Sequence, residues 1–284
     1  MRSFLDVYDL ESGAVHTVLA AETHLEAPNW TPDGASLIVN GDGLLYRVPL
    51  ASPALHRIAT GPMVHLNNDH GLSPDGATLA ISDKTETGRS CIYTLPVGGG
   101  APRRVTRQVP SWWHGWSPCG ARLTYTAVRE GDFCIATCGL SGEGERIVIG
   151  GPHHYDGPDY SPDGDWIWFN SDRGGTMQLW RVRPNGRDAE QMTDDDRVNW
   201  FPHPSPDGRH VVYLSYAPGT EGHPPDREVE LRLIDIGTAE VRTLVSLFGG
   251  QGTLNVPCWA PDAGRFAYMR YARRDVFLEE SSHA

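Results

Sequence analysis

Histidine, carboxylate and amide side chains recur in this sequence just ahead of a repeated turn. Counted back from the Ser, Thr or Ala that opens each turn, the third position holds Pro28, His70, His114, Pro158, Pro202 and Pro257. The fifth position back holds Glu26, Asn68, Trp112, Asp156, Trp200 and Asn255. Histidine thus displaces a recurring proline in two adjacent repeats. Two acids and two amides also stand where a purely structural repeat has little use for them. Imidazole and carboxylate can ligate a divalent metal that keeps an open coordination position, or they can move protons as general acid and base. The metal reading expects one ion, manganese, zinc or calcium, on His70, His114, His154 and His203. The catalytic reading assigns His70, His114 and Asp156. Against both stands a plainer alternative: a water-filled channel mouth needs hydrogen-bonding residues and no chemistry at all.

Aromatic residues sharpen the ligand question. Trp30, Trp116 and Trp259 sit immediately before the turn, where other repeats carry Leu72 and Tyr160, and so read as packing between repeats. Trp112, Trp113 and Trp200 break the pattern and are expected at the mouth. A flat aromatic face beside amides and acids suits a sugar ring, apolar on one side and hydroxylated at its edge. Glu26, Asn68, Asp69, Gln251 and Asn255 would supply polar contacts, with Arg173 available to a carboxylate. The expected partner is therefore a small polar ligand, a sugar or uronate.

The elements that position these residues follow from the turn itself. Thr31-Pro32-Asp33-Gly34, Ser73-Pro74-Asp75-Gly76, Ser117-Pro118-Cys119-Gly120, Ser161-Pro162-Asp163-Gly164, Ser205-Pro206-Asp207-Gly208 and Ala260-Pro261-Asp262-Ala263 are six copies. Their prolines are separated by 42, 44, 44, 44 and 55 residues. Proline presets φ, Asp can bond back to the backbone, and Gly accepts positive φ. Apolar runs such as Trp166-Ile167-Trp168-Phe169 follow each turn and read as strands. Four strands per repeat around a ring make an all-β, six-bladed β-propeller. Two strands precede the first turn and one clear strand follows the last. The sixth blade is thus expected to close with amino- and carboxyl-terminal strands, in a single domain over 1–284 with a polar tail from about 272.

The Ser-Pro-Asp-Gly repeat with its preceding aromatic or small residues resembles the TolB-like propellers. The resemblance spans nearly the whole chain but does not extend to the amino-terminal α/β domain of TolB. It implies the fold and says little about activity. Oligogalacturonate lyases, a related group, hold a metal at the channel mouth through histidines and a glutamine. No stretch here matches that motif residue by residue, so no ligand is carried over. A prolyl oligopeptidase is excluded because there is no Gly-x-Ser-x-Gly elbow and no room for its hydrolase domain.

Face and composition narrow the rest. In a propeller the loop entering the first strand and the loop between the second and third open on one mouth. The residues singled out above therefore share it, as does an insertion over 217–228 carrying His223, Asp226 and Arg227. Such loops are often lids. With 24 basic and 36 acidic residues, net charge −12, nucleic acid and anionic membranes are poor partners. No apolar run approaches a membrane span, and the first ten residues do not read as a secretory leader. An odd count of five cysteines suits a reducing, cytoplasmic setting. Two functional expectations stand: a carbohydrate-binding or carbohydrate-acting propeller, in enzyme form a metal-assisted lyase or hydrolase, or a non-catalytic interaction scaffold or metabolite sensor.

Overall fold

A computed structural model describes residues 2–273, and the polar tail from 274 onward lies outside the described residues. Six antiparallel meanders surround an axis, and consecutive strands hydrogen-bond within each. Blades 1 to 5 carry four strands each and span 26–58, 66–104, 111–150, 155–191 and 198–249. Blade 6 is built from both ends of the chain. Arg265–Tyr271 pairs with Ser3–Asp9, which pairs with Val15–Ala21. Its innermost segment is reduced to one bridge between Trp259 and Phe266, so this blade is closed by amino- and carboxyl-terminal strands but thinned at the axis.

The repeated turn explains its own residue choices. Ser73 Oγ donates to Asp75 Oδ1 at 2.5 Å, and that oxygen accepts the Ala77 amide at 3.0 Å. Ser73 Oγ in turn accepts the Thr78 amide at 3.0 Å, which starts the next strand. The Gly76 amide closes the turn on Ser73 O at 2.8 Å with φ of 71°, in the left-handed region glycine tolerates. Blades 1, 4 and 5 repeat the Ser/Thr-to-Asp bond at 2.5–2.6 Å. In blade 3, Cys119 replaces the Asp and leaves only a 3.5 Å Ser117 contact.

Blades pack through the aromatic residue before the turn. Trp116 Nε1 donates to Gly71 O at 3.2 Å, and Trp259 Nε1 to His203 O at 2.8 Å, each reaching the preceding blade. Burying such indoles on a neighbouring sheet removes large apolar areas from water and ties the ring together. Trp113 does the same work, contrary to the expectation that it faces the mouth. It is wholly buried, and its indole lies where any side chain at Gly71 would have to go.

Candidate functional site

The axial strands do not run straight to the mouth. Each of blades 1 to 5 carries a register shift before the turn, and in blades 2 and 3 that shift differs from the other three. In blades 1, 4 and 5 it begins at a left-handed residue, Ala27, Gly157 or Phe201, with φ of 54°, 60° and 55°. Each is followed by the recurring proline. In blade 3 only His114 is skipped between the pairs Trp113–Tyr125 and Gly115–Thr124. In blade 2 the break lies earlier, between Leu66 and His70, so His70 is back in register opposite Ile81. A bulge re-aims the side chains it frees. His114 and the trio Asn67, Asn68 and Asp69 are released toward the axis, whereas His70 is not.

These residues line a cavity of about 270 Å³ at the axis. Blade 2 supplies Asn67, Asn68 and Asp69, and blade 3 supplies Trp112, His114, Thr126 and Phe133. His154 and Asp156 come from blade 4, Phe201 and His223 from blade 5, and Gln251 and Asn255 from the segment leading into blade 6. Most were expected from their repeat positions. Phe201 was not, being an apolar residue at the blade 5 bulge, nor were Thr126 and Phe133, which lie on the second and third strands of blade 3. Those strands run eight residues each and extend over the mouth, and strand length was the signal available.

Asp156 is the hub. Its Oδ1 accepts Thr126 Oγ1 at 2.7 Å and the Gly157 amide at 2.8 Å, and lies 3.2 Å from His114 Nε2. Its Oδ2 lies 3.6 Å from His154 Nε2 and 3.8 Å from His223 Nε2. Across the axis, His114 Nδ1 meets the Asn255 carbonyl at 3.3 Å. Both ring nitrogens of His114 therefore face acceptors, which only the doubly protonated ring can satisfy. Burial works against that charge, but Asp69 and Asp156 outweigh it and raise the His114 pKa. Burial likewise opposes ionisation of Asp156, yet the surrounding histidines hold its carboxyl well below the usual range.

Asp69 behaves oppositely. It is buried, held by Asn67 Nδ2 at 2.5 Å, and its pKa is pushed up to about 7, chiefly by burial and, against the pull of His114, by the Asp156 charge. His223 arrives on the insertion. Its Nδ1 bonds Gln251 Oε1, which also accepts Asn255 Nδ2 at 3.2 Å. Burial lowers its pKa against the opposing charge of Asp156. With Nδ1 donating to the amide oxygen, the neutral ring leaves Nε2 unprotonated, 3.8 Å from Asp156 Oδ2. The insertion is seated by Pro224, whose carbonyl accepts Tyr216 Oη at 3.1 Å and the Gln251 amide at 3.3 Å.

Aromatic rings form a belt around this charge cluster. Trp112 stacks near Phe133 (6.2 Å), and Phe133 lies 4.2 Å from His154, whose other neighbour is Trp200 at 5.5 Å. Trp200 then contacts His223 at 4.4 Å, His223 contacts Phe201 at 5.2 Å, and Phe201 lies against His114 at 6.1 Å. Outside the belt a second, open groove of about 740 Å³ runs between blades 4 and 5 beneath the insertion, and His154 and His223 border both spaces. Trp200 lines the groove rather than the inner cavity, and its buried Nε1 has no partner.

Several expected site residues stand elsewhere. His70 is wholly buried, neither ring nitrogen has a partner, and burial pushes its pKa down to about 3. His203 is buried with Nδ1 on Asp159 Oδ2 at 3.1 Å. Neither lines the cavity, so the quartet His70, His114, His154 and His203 is not brought together. Among the described residues no group of three or more His, Cys, Asp or Glu side chains is arranged to hold a metal ion. At Asp156 the close partner is His114, at 3.2 Å, with His154 and His223 farther off at 3.6 and 3.8 Å. Glu26 sits behind the lining, bonded by Asn40 at 3.2 Å and Asn68 at 3.3 Å. Arg173 lies over the Trp180 ring at 4.9 Å and lines neither space.

Fold and site together define a class: a six-bladed propeller with an acid-and-imidazole cavity on its axis. Residues 115–224 match the TolB beta propeller domain, PD40. An uncharacterized protein, Atu1656, of Agrobacterium fabrum is 48% identical over 272 residues, covering 95% of this chain and 93% of its own. A solved structure from Agrobacterium tumefaciens, named as a candidate TolB, is also 48% identical. It covers 96% of this chain and 99% of its own, with a TM-score of 0.94. The chain belongs to the TolB-like β-propeller family. An oligogalacturonate lyase in complex with manganese shares the fold alone, at 18% identity and a TM-score of 0.57 over 86% of this chain and 72% of its own.

Proposed function

We propose that the axial cavity binds a sugar-sized polar molecule and carries out acid–base chemistry on it without a resident metal. The observation behind this reading is the cavity itself, in which Asp156 has His114, His154 and His223 at 3.2–3.8 Å while Asp69 lies buried on blade 2, held by Asn67. The histidines favour the ionised form of Asp156, and burial holds the Asp69 proton to about pH 7. Titratable groups whose surroundings drive their pKa values apart are how one site provides both an acid and a base. Asp69 is the proton donor. His223, neutral and with Nε2 unprotonated, is the base. The His114–Asp156 ion pair supplies a fixed field that costs no reorganisation during reaction. A cavity of about 270 Å³ is slightly below the range of roughly 300–1,000 Å³ typical for drug-sized ligands, so it suits a single ring. All five cysteines are free, which fits a reducing, cytoplasmic setting.

The test is a panel of mono- and disaccharides followed by tryptophan fluorescence for binding and by product formation for turnover. Wild type should bind saturably and turn over one member. His223→Gln and Asp69→Asn should each lower kcat by roughly 10²–10⁴, with ligand still bound. Turnover should fall as pH rises through about 7, where Asp69 loses its proton. A kcat indifferent to both substitutions would contradict the assignment. Saturable binding without turnover would make the protein a metabolite sensor.

A further inference from the structure

The charge of the lining is one-sided. Among the described residues neither the axial cavity nor the adjoining groove is lined by a lysine or an arginine. Asp69 and Asp156 face the inner space, and Asp172 and Glu221 border the groove that leads to it. The cation within the cluster, His114, is already matched by Asp156 at 3.2 Å. Arg129 pairs with Glu145 at 2.8 Å and Arg197 with Glu230 at 3.4 Å, while Arg173 lies over the Trp180 ring at 4.9 Å. A carboxylate ligand would therefore enter a buried space beside two aspartates with nothing to pair it. Uncompensated like charge at low dielectric is strongly unfavourable.

The aromatic belt points the same way. Ring faces carry negative potential and attract a cation, most strongly where water is excluded. Trp112, Phe133 and Phe201 line the same cavity as Asp69 and Asp156, so a positive group placed there would have aromatic rings and carboxyl groups among its neighbours. A neutral sugar would use the amides Asn67, Asn68, Gln251 and Asn255 but gain nothing from Asp69, whose ionised form a cation beside it would favour.

Building on the proposed ligand site, we infer that its ligand carries a positively charged nitrogen, as an amino sugar or another small organic amine does, and that uronates are excluded. The nitrogen sits between Asp69 and the belt, and the remainder of the ligand extends past His154 and His223 toward the groove. The acidic groove also favours approach of a cation over that of an anion.

Two matched sets of probes isolate charge from shape. Choline and its uncharged carbon isostere 3,3-dimethylbutanol form one, and glucosamine, glucose and glucuronate form the other. Each is titrated into the full chain by calorimetry at pH 7, with Trp112 fluorescence as a second readout. The charged amine in each set should bind at least tenfold tighter than its neutral counterpart, and glucuronate should bind weakest. Asp69→Asn, which keeps the shape and removes the ionisable carboxyl, should shrink that preference several-fold, and thermal melting will show whether the variant is folded. If a neutral probe or glucuronate binds as tightly as the amine, the inference is overturned while the ligand-site reading survives. If no probe binds at millimolar concentration, the ligand site itself is refuted and the inference with it.

Discussion

The two ends of this propeller are made from the same repeat and treat their polar groups in opposite ways. At the turn end the motif closes on itself: serine donates to aspartate, aspartate accepts the following amides, and glycine takes the left-handed corner. No buried side-chain polar atom of those turn residues lacks a partner. At the mouth end, four to six residues earlier in each repeat, the symmetry breaks. Blades 2 and 3 bulge differently from the other three, a buried proton is retained by Asp69, and polar atoms such as His154 Nε2 and Trp200 Nε1 stay unpaired. Local closure gives stability that needs nothing from outside. Unspent charge and open valence at the mouth make sense where a ligand will complete them.

Substitutions should separate the two ends by size and by sign. Asp156→Asn should be the most damaging, because it leaves the His114 imidazolium buried without its counter-charge; about 3–5 kcal/mol is expected from urea unfolding. Asp69→Asn should do the reverse. The unfolded chain releases this proton near pH 3.8 while the folded protein holds it to about 7, so stability is lost as pH rises between those values. Removing the group should stabilise the protein at pH 8, by up to roughly 4 kcal/mol for a shift of about three pKa units, and change little at pH 3. A mouth built only for structure would show no such gain. At the turn end the effects should be small and follow the motif. Asp75→Ala, which loses its bonds to Ser73 and Ala77, should cost about 1 kcal/mol. Cys119→Asp should restore the missing bond to Ser117 and gain a few tenths to ~1 kcal/mol, raising the melting temperature slightly.

The turn end was fully legible because its chemistry is local. Four adjacent residue types specify one corner, and six copies specify the ring. The mouth was legible only as a list of positions. His70 and His114 occupy the same place in the repeat, yet a bulge that skips one residue in blade 3 and ends earlier in blade 2 sends them to different surroundings. Trp113 reads as a ligand contact until Gly71 of the preceding blade is seen to receive its indole. Phe133 and Thr126 carried no positional mark, since they reach the cavity through strand length. His223, by contrast, was visible as part of an insertion, and seating by Pro224 brings it over Asp156. Register and long-range docking decide such cases, and neither is written in any short window of sequence.

The claim that the mouth holds two aspartates in opposite states can be measured without knowing the ligand. Side-chain carboxyl ¹³C shifts of Asp69 and Asp156, assigned through the Asn variants, should be followed by NMR from pH 4 to pH 9. Asp69 should titrate near pH 7 while Asp156 stays ionised throughout. An Asp69 that titrates near pH 4 alongside the surface carboxylates would contradict the account, because the cavity would then hold no retained proton.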